Sequence, residues 1–130
     1  MNSEKPTILI IDDEQVVRDV AKLMLERQGF TVLAAASGAD GVEVYRENAA
    51  RIDAVLLDMV MPEMDGEEAF ARMKAIRSDV KVVLSSGYTE QAASSRFATK
   101  GLAGFIQKPF SMQSLGDKFR QVLSQGSSSR

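Results

Sequence analysis

The sequence predicts an α/β fold, a doubly wound five-stranded parallel sheet with helices on both faces. Three observations predict it. Five short apolar runs recur along the chain, their first residues lie 23 to 26 positions apart, and the intervals between them carry apolar residues at helical spacing. Strands and helices that alternate strictly form a parallel sheet whose two faces are both buried.

The runs are predicted as strands because they are too short for helices and are bounded by Gly, Asp or Ser. They are Thr7–Ile11, Phe30–Ala34, Ala54–Leu57, Val80–Leu84 and Ala103–Ile106. Ile8–Ile11 and Val55–Leu57 are apolar throughout, as expected of central strands. Right-handed crossovers on both faces then favour the order 2-1-3-4-5, the flavodoxin-like (βα)5 arrangement.

Helices are predicted in the intervals from apolar residues three or four positions apart. The stripes are Val17, Val20, Ala21 and Met24 after the first strand, Ala69, Met73 and Ile76 after the third, and Leu115, Phe119, Val122 and Leu123 after the fifth. Gly29 is predicted to end the first helix, and Asp65 and Ser111 are predicted N-caps of later ones.

Length and composition predict one domain and exclude several kinds of site. The 130 residues fit a single domain over 6–124, with 1–5 a flexible N-terminus and 125–130 a flexible tail or linker. Because the chain has no Cys and no His, it has no disulfide, thiolate metal site, Cys nucleophile or phosphohistidine. The net charge of -2 argues against a nucleic-acid surface. With a short polar N-terminus and no apolar run of membrane length, we expect a cytoplasmic protein without membrane contact.

Carboxylates follow two strands that the predicted order makes neighbours. Asp12 and Asp13 follow the first strand, and Asp58 follows the third. Each aspartate alone is more typical of an N-cap or a turn. Parallel strands end at one edge of the sheet, however, so the three should converge. Two carboxylates ~4 Å apart repel by about 4 kcal/mol, and a hard cation such as Mg²⁺ removes that repulsion.

Hydroxyl and ammonium groups are expected at the same edge. Ser86 and Gly87 follow the fourth strand, and Lys108 follows the fifth. Three carboxylates, one Mg²⁺ and Lys108 sum to zero charge, which suits a phosphoryl group held by the metal, Lys108 and Ser86. Attack of a carboxylate on phosphorus leaves an aspartyl phosphate. With no His to act as a base, the site is predicted to hold that group.

Together these motifs resemble those of response regulator receiver domains, the phosphoprotein modules of two-component signalling and phosphorelays. The shared motifs are Asp12-Asp13-Glu14, Asp58-Met-Val-Met-Pro62-Glu-Met-Asp65-Gly66, Ser86-Gly87 and Lys108-Pro109. Each motif alone is weak, but the set in this order is specific. The resemblance spans 6–124 and implies a conformational signal relay that catalyses only its own phosphorylation and slow dephosphorylation.

The resemblance implies a ligand set for Mg²⁺. Asp58 matches the phosphoacceptor and a metal ligand. Asp13 matches the direct ligand, Asp12 the ligand that acts through water, and the carbonyl of Val60 the backbone ligand.

The resemblance also implies phosphate-binding and switch positions. Lys108, Ser86 and Gly87 match the residues that bind the phosphoryl group. Ser86 and Phe105 match the switch pair, where the family more often has Thr and Tyr.

Two residues are predicted to tune the lifetime of the phosphoryl group. Val60 and Tyr88 lie two positions past Asp58 and Ser86, where a side chain can orient or block an attacking water. Val60 offers that water no hydrogen bond and Tyr88 is bulky, so we expect slow self-hydrolysis.

The expected partner supplies the histidine that this chain lacks. A histidine kinase or a histidine phosphotransfer protein is implied, docking on the first helix and the loops around Asp58. Signalling is expected through the fourth helix, fifth strand and fifth helix. Residues 84–89 and 100–110 resemble receivers attached to hybrid sensor histidine kinases, and a free-standing regulator remains the alternative.

Other functions are less compatible with these residues. A Mg²⁺-dependent phosphatase with an Asp nucleophile needs an acidic residue two positions later, where Val60 stands, and a substrate-covering cap. A flavin- or nucleotide-binding module needs a Gly- or Ser/Thr-rich phosphate loop after the first strand, where Asp12–Glu14 repel phosphate. A degenerate receiver that serves only as a scaffold would not need the complete acidic set that this chain carries.

Overall fold

The computed structural model describes residues 5–95 and 101–127. Within them, strands and helices alternate along the chain. The elements are β1 (Thr7–Ile11), α1 (Gln15–Glu26), β2 (Thr31–Ala35), α2 (Gly38–Asn48), β3 (Ala54–Asp58), α3 (Gly66–Ile76), β4 (Val82–Ser86), α4 (Glu90–Ser94), β5 (Gly104–Gln107) and α5 (Met112–Ser127).

The five strands form one parallel sheet in the order β2-β1-β3-β4-β5. β1 lies between β2 and β3, with Leu9 opposite both Leu33 and Val55. The predicted fold class and strand order are therefore confirmed. This order makes β1 and β3 neighbours, so their carboxyl ends lie side by side.

The sheet separates the hydrophobic core into two layers. Side chains alternate along a strand, and β1 accordingly sends Leu9 and Ile11 into one layer and Ile8 and Ile10 into the other. Buried side chains of α2 and α3 fill the first layer, and those of α1 and α5 fill the second. Both faces of β1 are thus fully buried, as its continuous apolar run predicts.

The apolar stripes of α3 and α5 pack as predicted, whereas that of α1 does not. Ala21 and Leu25 are the α1 residues fully removed from solvent, and Val20 stays 43% exposed. The predicted helix is present, but Val20 lies outside the core and Leu25, which was not part of the predicted stripe, lies in it. Apolar residues surround much of α1, so spacing alone does not identify the face that meets the sheet.

Four of the five strands differ in their bounds from those predicted. Phe30 lies before β2, because its N–H donates to the carbonyl of Leu25 in the turn after α1. Val80 belongs to a turn after α3, where its N–H donates to Arg77. Ala103 precedes β5, and β3 extends by one residue to Asp58. At the other end of β4, Ser85 and Ser86 continue the pairing with β5 and so belong to the strand.

The predicted helix ends are confirmed. Gly29 adopts a φ of 96° just after α1, a conformation that favours glycine. The carboxylate of Asp65 accepts from the N–H of Glu68 at 3.0 Å, and the hydroxyl of Ser111 accepts from the N–H of Ser114 at 3.0 Å. Both are N-cap hydrogen bonds that satisfy a free donor in the first turn.

The ends of the described chain bear on the predicted boundaries. α5 continues to Ser127, three residues into the segment predicted as tail. Residues 1–4 and 128–130, the rest of the predicted terminal segments, lie outside the described residues, as do 96–100. No helix in the described part of the chain is both long and apolar enough to span a bilayer.

Candidate functional site

Three aspartates meet at the carboxyl edge of the sheet. Asp58 is the last residue of β3, and Asp12 directly follows β1, where its N–H still donates to the carbonyl of Ala35. Carboxylate oxygens of Asp12, Asp13 and Asp58 all lie within 4.8 Å of one another. The predicted convergence is confirmed.

The three carboxylates differ in how they are held. Asp12 and Asp58 are buried, whereas Asp13 is exposed. Both oxygens of Asp12 have partners: Oδ1 accepts from the N–H of Glu14 at 2.9 Å, and Oδ2 accepts from Lys108 at 3.0 Å. The carboxylate of Asp12 is therefore already occupied, which fits an indirect part in binding a cation.

Lys108 lies between the two buried carboxylates. Its Nζ donates to Asp12 at 3.0 Å and to Asp58 at 3.3 Å, and its side chain is 19% exposed. Its own N–H donates to the carbonyl of Ser86 at 2.7 Å, which joins the ends of β4 and β5, and the bond to Pro109 is cis. Burial lowers the pKa of Lys108, but the hydrogen bond to Asp12 and the charges of Asp58 and Asp12 outweigh burial and raise it.

One ammonium group does not neutralise this edge. Burial, and then the charge of Asp12, raise the pKa of Asp58 from 3.8 to about 6, although the charge and hydrogen bond of Lys108 and a backbone hydrogen bond at Val60 act in the opposite direction. The folded protein therefore ionises Asp58 less readily than the unfolded chain does. A further cation at this edge would stabilise the ionised form.

The donor set fits Mg²⁺. Carboxylate oxygens are its preferred protein ligands, and opposite oxygens around the ion lie about 4 Å apart, close to the 4.8 Å spread of the aspartate oxygens. The exposure of Asp13 leaves the cluster open to solvent, from which an ion and its waters can enter.

A cleft opens above Asp58. It has a volume of about 370 Å³, and Ser86, Gly87 and Lys108 all line it. The buried hydroxyl of Ser86 accepts from the N–H of Tyr88 at 2.9 Å. Its own hydrogen has no acceptor among residues 5–95 and 101–127, so the hydroxyl can donate to a ligand. Val60 and Tyr88, the residues predicted to tune lifetime, also line the cleft and are 62% and 40% exposed.

The predicted switch aromatic lies further from the cleft. Phe105, in the middle of β5 beside Leu84, is half-buried and packs against the core layer under α2 and α3. The structure thus places Phe105 within two residues of Ser86 in the register of β4, but not among the residues that line the cleft.

Two residues of the shared motifs make contacts that the sequence does not reveal. Glu14 lines the cleft, 4.0 Å from Nζ of Lys108, and adds a fourth carboxylate. A Cβ on Gly66, which looks like ordinary loop punctuation in the sequence, would lie 2.6 Å from the carbonyl oxygen of Asp58. Glycine at this position lets α3 begin directly against the end of β3. In the sequence, the spacing between Asp58 and Gly66 is the feature that could have indicated this close contact.

The family is decided by the match of residues 8–120 to the response regulator receiver domain. The chain belongs to that family. Its alternation of strands and helices and its acidic edge are thus those of a receiver domain in two-component signalling.

Curated relatives of this receiver domain include whole kinases and single domains. It is 35% identical over 121 residues to the sensor kinase CckA of Brucella abortus, covering 93% of this chain but 13% of that protein. It is 38% identical over 104 residues to the chemotaxis protein CheY of Bacillus subtilis, covering 79% of this chain and 85% of that protein. The receiver domain therefore spans a small part of the first and most of the second.

Solved structures of receiver domains superpose closely on it. A receiver domain protein from Clostridium thermocellum gives a TM-score of 0.86 at 28% identity, covering 94% of this chain and 97% of that one. The receiver domain of the hybrid histidine kinase CckA gives 0.76 at 31% identity, covering 90% and 98%.

Proposed function

We propose that this receiver domain accepts a phosphoryl group on Asp58 from a phosphohistidine of a histidine kinase or phosphotransfer protein, in a Mg²⁺-dependent reaction. The observation that carries the proposal is the position of Asp58. It is buried at the end of β3, within hydrogen-bonding distance of Lys108, and it lines an open cleft beside two further carboxylates. An aspartate with a purely structural role would gain nothing from two further carboxylates beside it, because like charges repel.

Transfer is proposed as an in-line displacement. A carboxylate oxygen of Asp58 forms the new P–O bond while the P–N bond of the donor breaks, and the electron pair of that bond leaves with the imidazole. Lys108 binds the phosphoryl oxygens, and Ser86 donates its free hydroxyl hydrogen to another of them. Asp12, Asp13, Asp58 and the carbonyl of Val60 would hold Mg²⁺, which supplies positive charge to the phosphoryl oxygens when bound.

The electrostatics of Asp58 suit a nucleophile. With a pKa of about 6, Asp58 is largely ionised at neutral pH, yet it is more basic than an ordinary aspartate. A more basic oxygen is a better nucleophile. The same burial that raises the pKa therefore favours attack on phosphorus.

The relay is proposed to run from Ser86 to Phe105. If Ser86 moves toward the phosphoryl group, it leaves space beside β5 that Phe105 can fill, which biases two packings of one region. Beryllofluoride, a phosphoryl mimic, should then shift backbone amide NMR signals at Ser86, Gly87 and Phe105. Shifts confined to the loops around Asp58 would contradict the relay.

The donor is proposed to dock on α1. Val16, Val20 and Leu23 are exposed there, and an apolar groove runs from α1 to Pro109 and Phe110, beside Lys108. An apolar surface next to the phosphoacceptor suits a helical donor that must bring its histidine to Asp58. The likeness to CckA supports a parent hybrid kinase, and the likeness to CheY supports a free-standing protein.

Phosphorylation by a small acyl phosphate tests the core of the proposal. With Mg²⁺, intact-protein mass spectrometry should show the gain of one phosphoryl group, and EDTA should abolish it. Asp58→Asn should gain none, whereas the control Asp40→Asn, which removes an exposed carboxylate on α2, should behave as wild type. An equal gain in Asp58→Asn would overturn the assignment of the phosphoacceptor.

A further inference from the structure

Arg18, on α1, forms a hydrogen bond to the backbone of the acidic cluster Asp12, Asp13 and Asp58. It lies one turn before Ala21 and two before Leu25, on the stripe of α1 that faces the sheet, and it is half-buried. Its guanidinium Nη1 donates to the carbonyl oxygen of Asp12 at 2.9 Å. A charged side chain on a helix stripe that otherwise carries core residues needs a physical explanation.

The hydrogen bond satisfies a carbonyl that the sheet leaves free. β1 ends at Ile11, and the last bond of its ladder is donated by the N–H of Asp12 to Ala35. Among the described residues, the partner of the Asp12 carbonyl is the Arg18 guanidinium. Buried backbone groups need such partners, and a charged donor makes a stronger hydrogen bond than a neutral one.

The bond also fixes the direction of the neighbouring residue. The carbonyl of Asp12 and the N–H of Asp13 belong to one planar peptide, so a fixed carbonyl fixes the plane from which Asp13 starts. In the described part of the chain, no side-chain hydrogen bond or ion pair holds the carboxylate of Asp13. Its placement therefore depends on its backbone.

We propose that Arg18 is a positioning residue for the divalent cation: it holds the Asp12–Asp13 peptide so that the exposed carboxylate of Asp13 is already aimed at the ion. This inference rests on the proposed Mg²⁺ site. It differs from a purely structural role for Arg18, in which removing the guanidinium lowers the stability of the fold and leaves the affinity for the ion unchanged.

The first test is the affinity for Mg²⁺ by isothermal titration calorimetry. Arg18→Met keeps the apolar stem and removes the donors, and groups that orient metal ligands are worth about tenfold or more in affinity, so the Kd should rise about tenfold. Arg72→Met is the matched control, since it removes the same charge from an exposed ion pair on α3. It should bind as wild type.

Arg18→Lys distinguishes an effect on the position of Asp13 from an effect on folding. Lysine keeps a charged donor at the same position, so it should recover part of the lost affinity, and it keeps the proposal testable if Arg18→Met does not fold. If wild type binds Mg²⁺ and neither Arg18 variant differs from it by more than about twofold, the inference fails and the proposed function stands. If wild type itself binds no Mg²⁺, the proposed function fails.

The second test separates binding from chemistry. Because Arg18 touches neither the donor nor Asp58 in this proposal, Arg18→Met should raise the Mg²⁺ concentration for half-maximal phosphorylation by a small acyl phosphate about tenfold. The rate at saturating Mg²⁺ should match wild type. A lower saturating rate with an unchanged Mg²⁺ requirement would overturn the positioning role.

Discussion

The two edges of the sheet each carry a polar cleft, but their charges are arranged differently. At the amino edge, a cleft of about 270 Å³ is lined by Tyr45, Arg77, Asp79 and Lys81, among others. Arg77 and Asp79 form two hydrogen bonds of 3.2 and 3.3 Å, and Arg77 also donates to the carbonyl of Ala49. At the carboxyl edge, one ammonium group serves several carboxylates.

The pKa values express the same difference. The hydrogen bond and charge of Asp79 raise the pKa of Arg77, and those of Arg77 lower the pKa of Asp79, so both charged forms are favoured. Burial raises the pKa of Asp58 to about 6, so its charged form is disfavoured. Arg77 and Asp79 at the amino edge are thus paired with each other, whereas at the carboxyl edge three carboxylates lie within 4.0 Å of the one ammonium group of Lys108.

Replacing the positively charged side chain at each edge should give the largest difference between the two edges. Lys108→Met should slow phosphorylation by a small acyl phosphate about 100-fold, as losing one donor to a developing charge does in enzymes. Arg77→Met should leave that rate unchanged, because its partners lie at the other edge. Rates come from mass spectrometric time courses at saturating Mg²⁺. Equal rates in the two variants would remove Lys108 from the phosphoryl site.

Neutralising one aspartate at each edge should have opposite effects on stability. At pH 7.5, Asp58→Asn removes a disfavoured charge and should raise the free energy of unfolding, by at most about 3 kcal/mol for a pKa difference of this size. Asp79→Asn removes a favoured charge and should lower it. Urea unfolding of both variants in EDTA gives the comparison.

The pH dependence gives the sign of the Asp58 effect separately. Between pH 3.8 and about 6, the folded protein keeps a proton on Asp58 that the unfolded chain has released. Wild type should therefore lose stability relative to Asp58→Asn as the pH rises through this window, and the gap between the two should close below it. A gap of constant size at pH 3.5 and pH 7.5 would show that the carboxyl charge is not its cause.

Mg²⁺ should stabilise the carboxyl edge by mass action. At ten times its Kd, a ligand that binds only the folded state adds about 1.4 kcal/mol, seen as a rise in Tm. Asp13→Asn should reduce the rise more than Ser86→Ala, because Ser86 offers no carboxylate to the ion. The midpoint concentrations from differential scanning fluorimetry decide this. Identical midpoints would argue against Asp13 as a ligand.

The smallest expected effects concern the lifetime of the aspartyl phosphate. Val60→Asn supplies a hydrogen bond to an attacking water, and Tyr88→Ala uncovers the cleft that both side chains line. Each should speed dephosphorylation up to about tenfold, equivalent to 1.4 kcal/mol in the barrier. The decay is followed at saturating Mg²⁺ after removal of the donor. Wild-type decay in both variants would mean that other residues control access of water.

The fold and the acidic trio could be predicted because they depend on order along the chain. Strand spacing gives the topology, topology makes β1 and β3 neighbours, and neighbours that run in parallel bring Asp12, Asp13 and Asp58 together. The four shared motifs, in their order along the chain, then identify the family. None of these steps requires the position of an individual atom.

What could not be predicted depends on competition between alternatives of similar energy. Apolar residues lie around most of α1, so spacing did not reveal that Val20 stays exposed while Leu25 is buried. Ser86 looked like a loop residue, since only pairing with β5 extends β4 that far. The hydrogen bond from Arg18 to Asp12 joins residues six apart, a separation that belongs to no general motif.

The two-layered core bears on how such a domain diverges after gene duplication. Phe105 packs with the layer under α2 and α3, whereas Met24 and Phe110, beside the α1 groove, pack with the layer under α1 and α5. The sheet keeps these layers apart. If the donor docks on α1 and Phe105 is the switch residue, as proposed, substitutions that change the donor surface fall in the other layer from Phe105. A duplicated copy would then acquire a new donor and keep its switch.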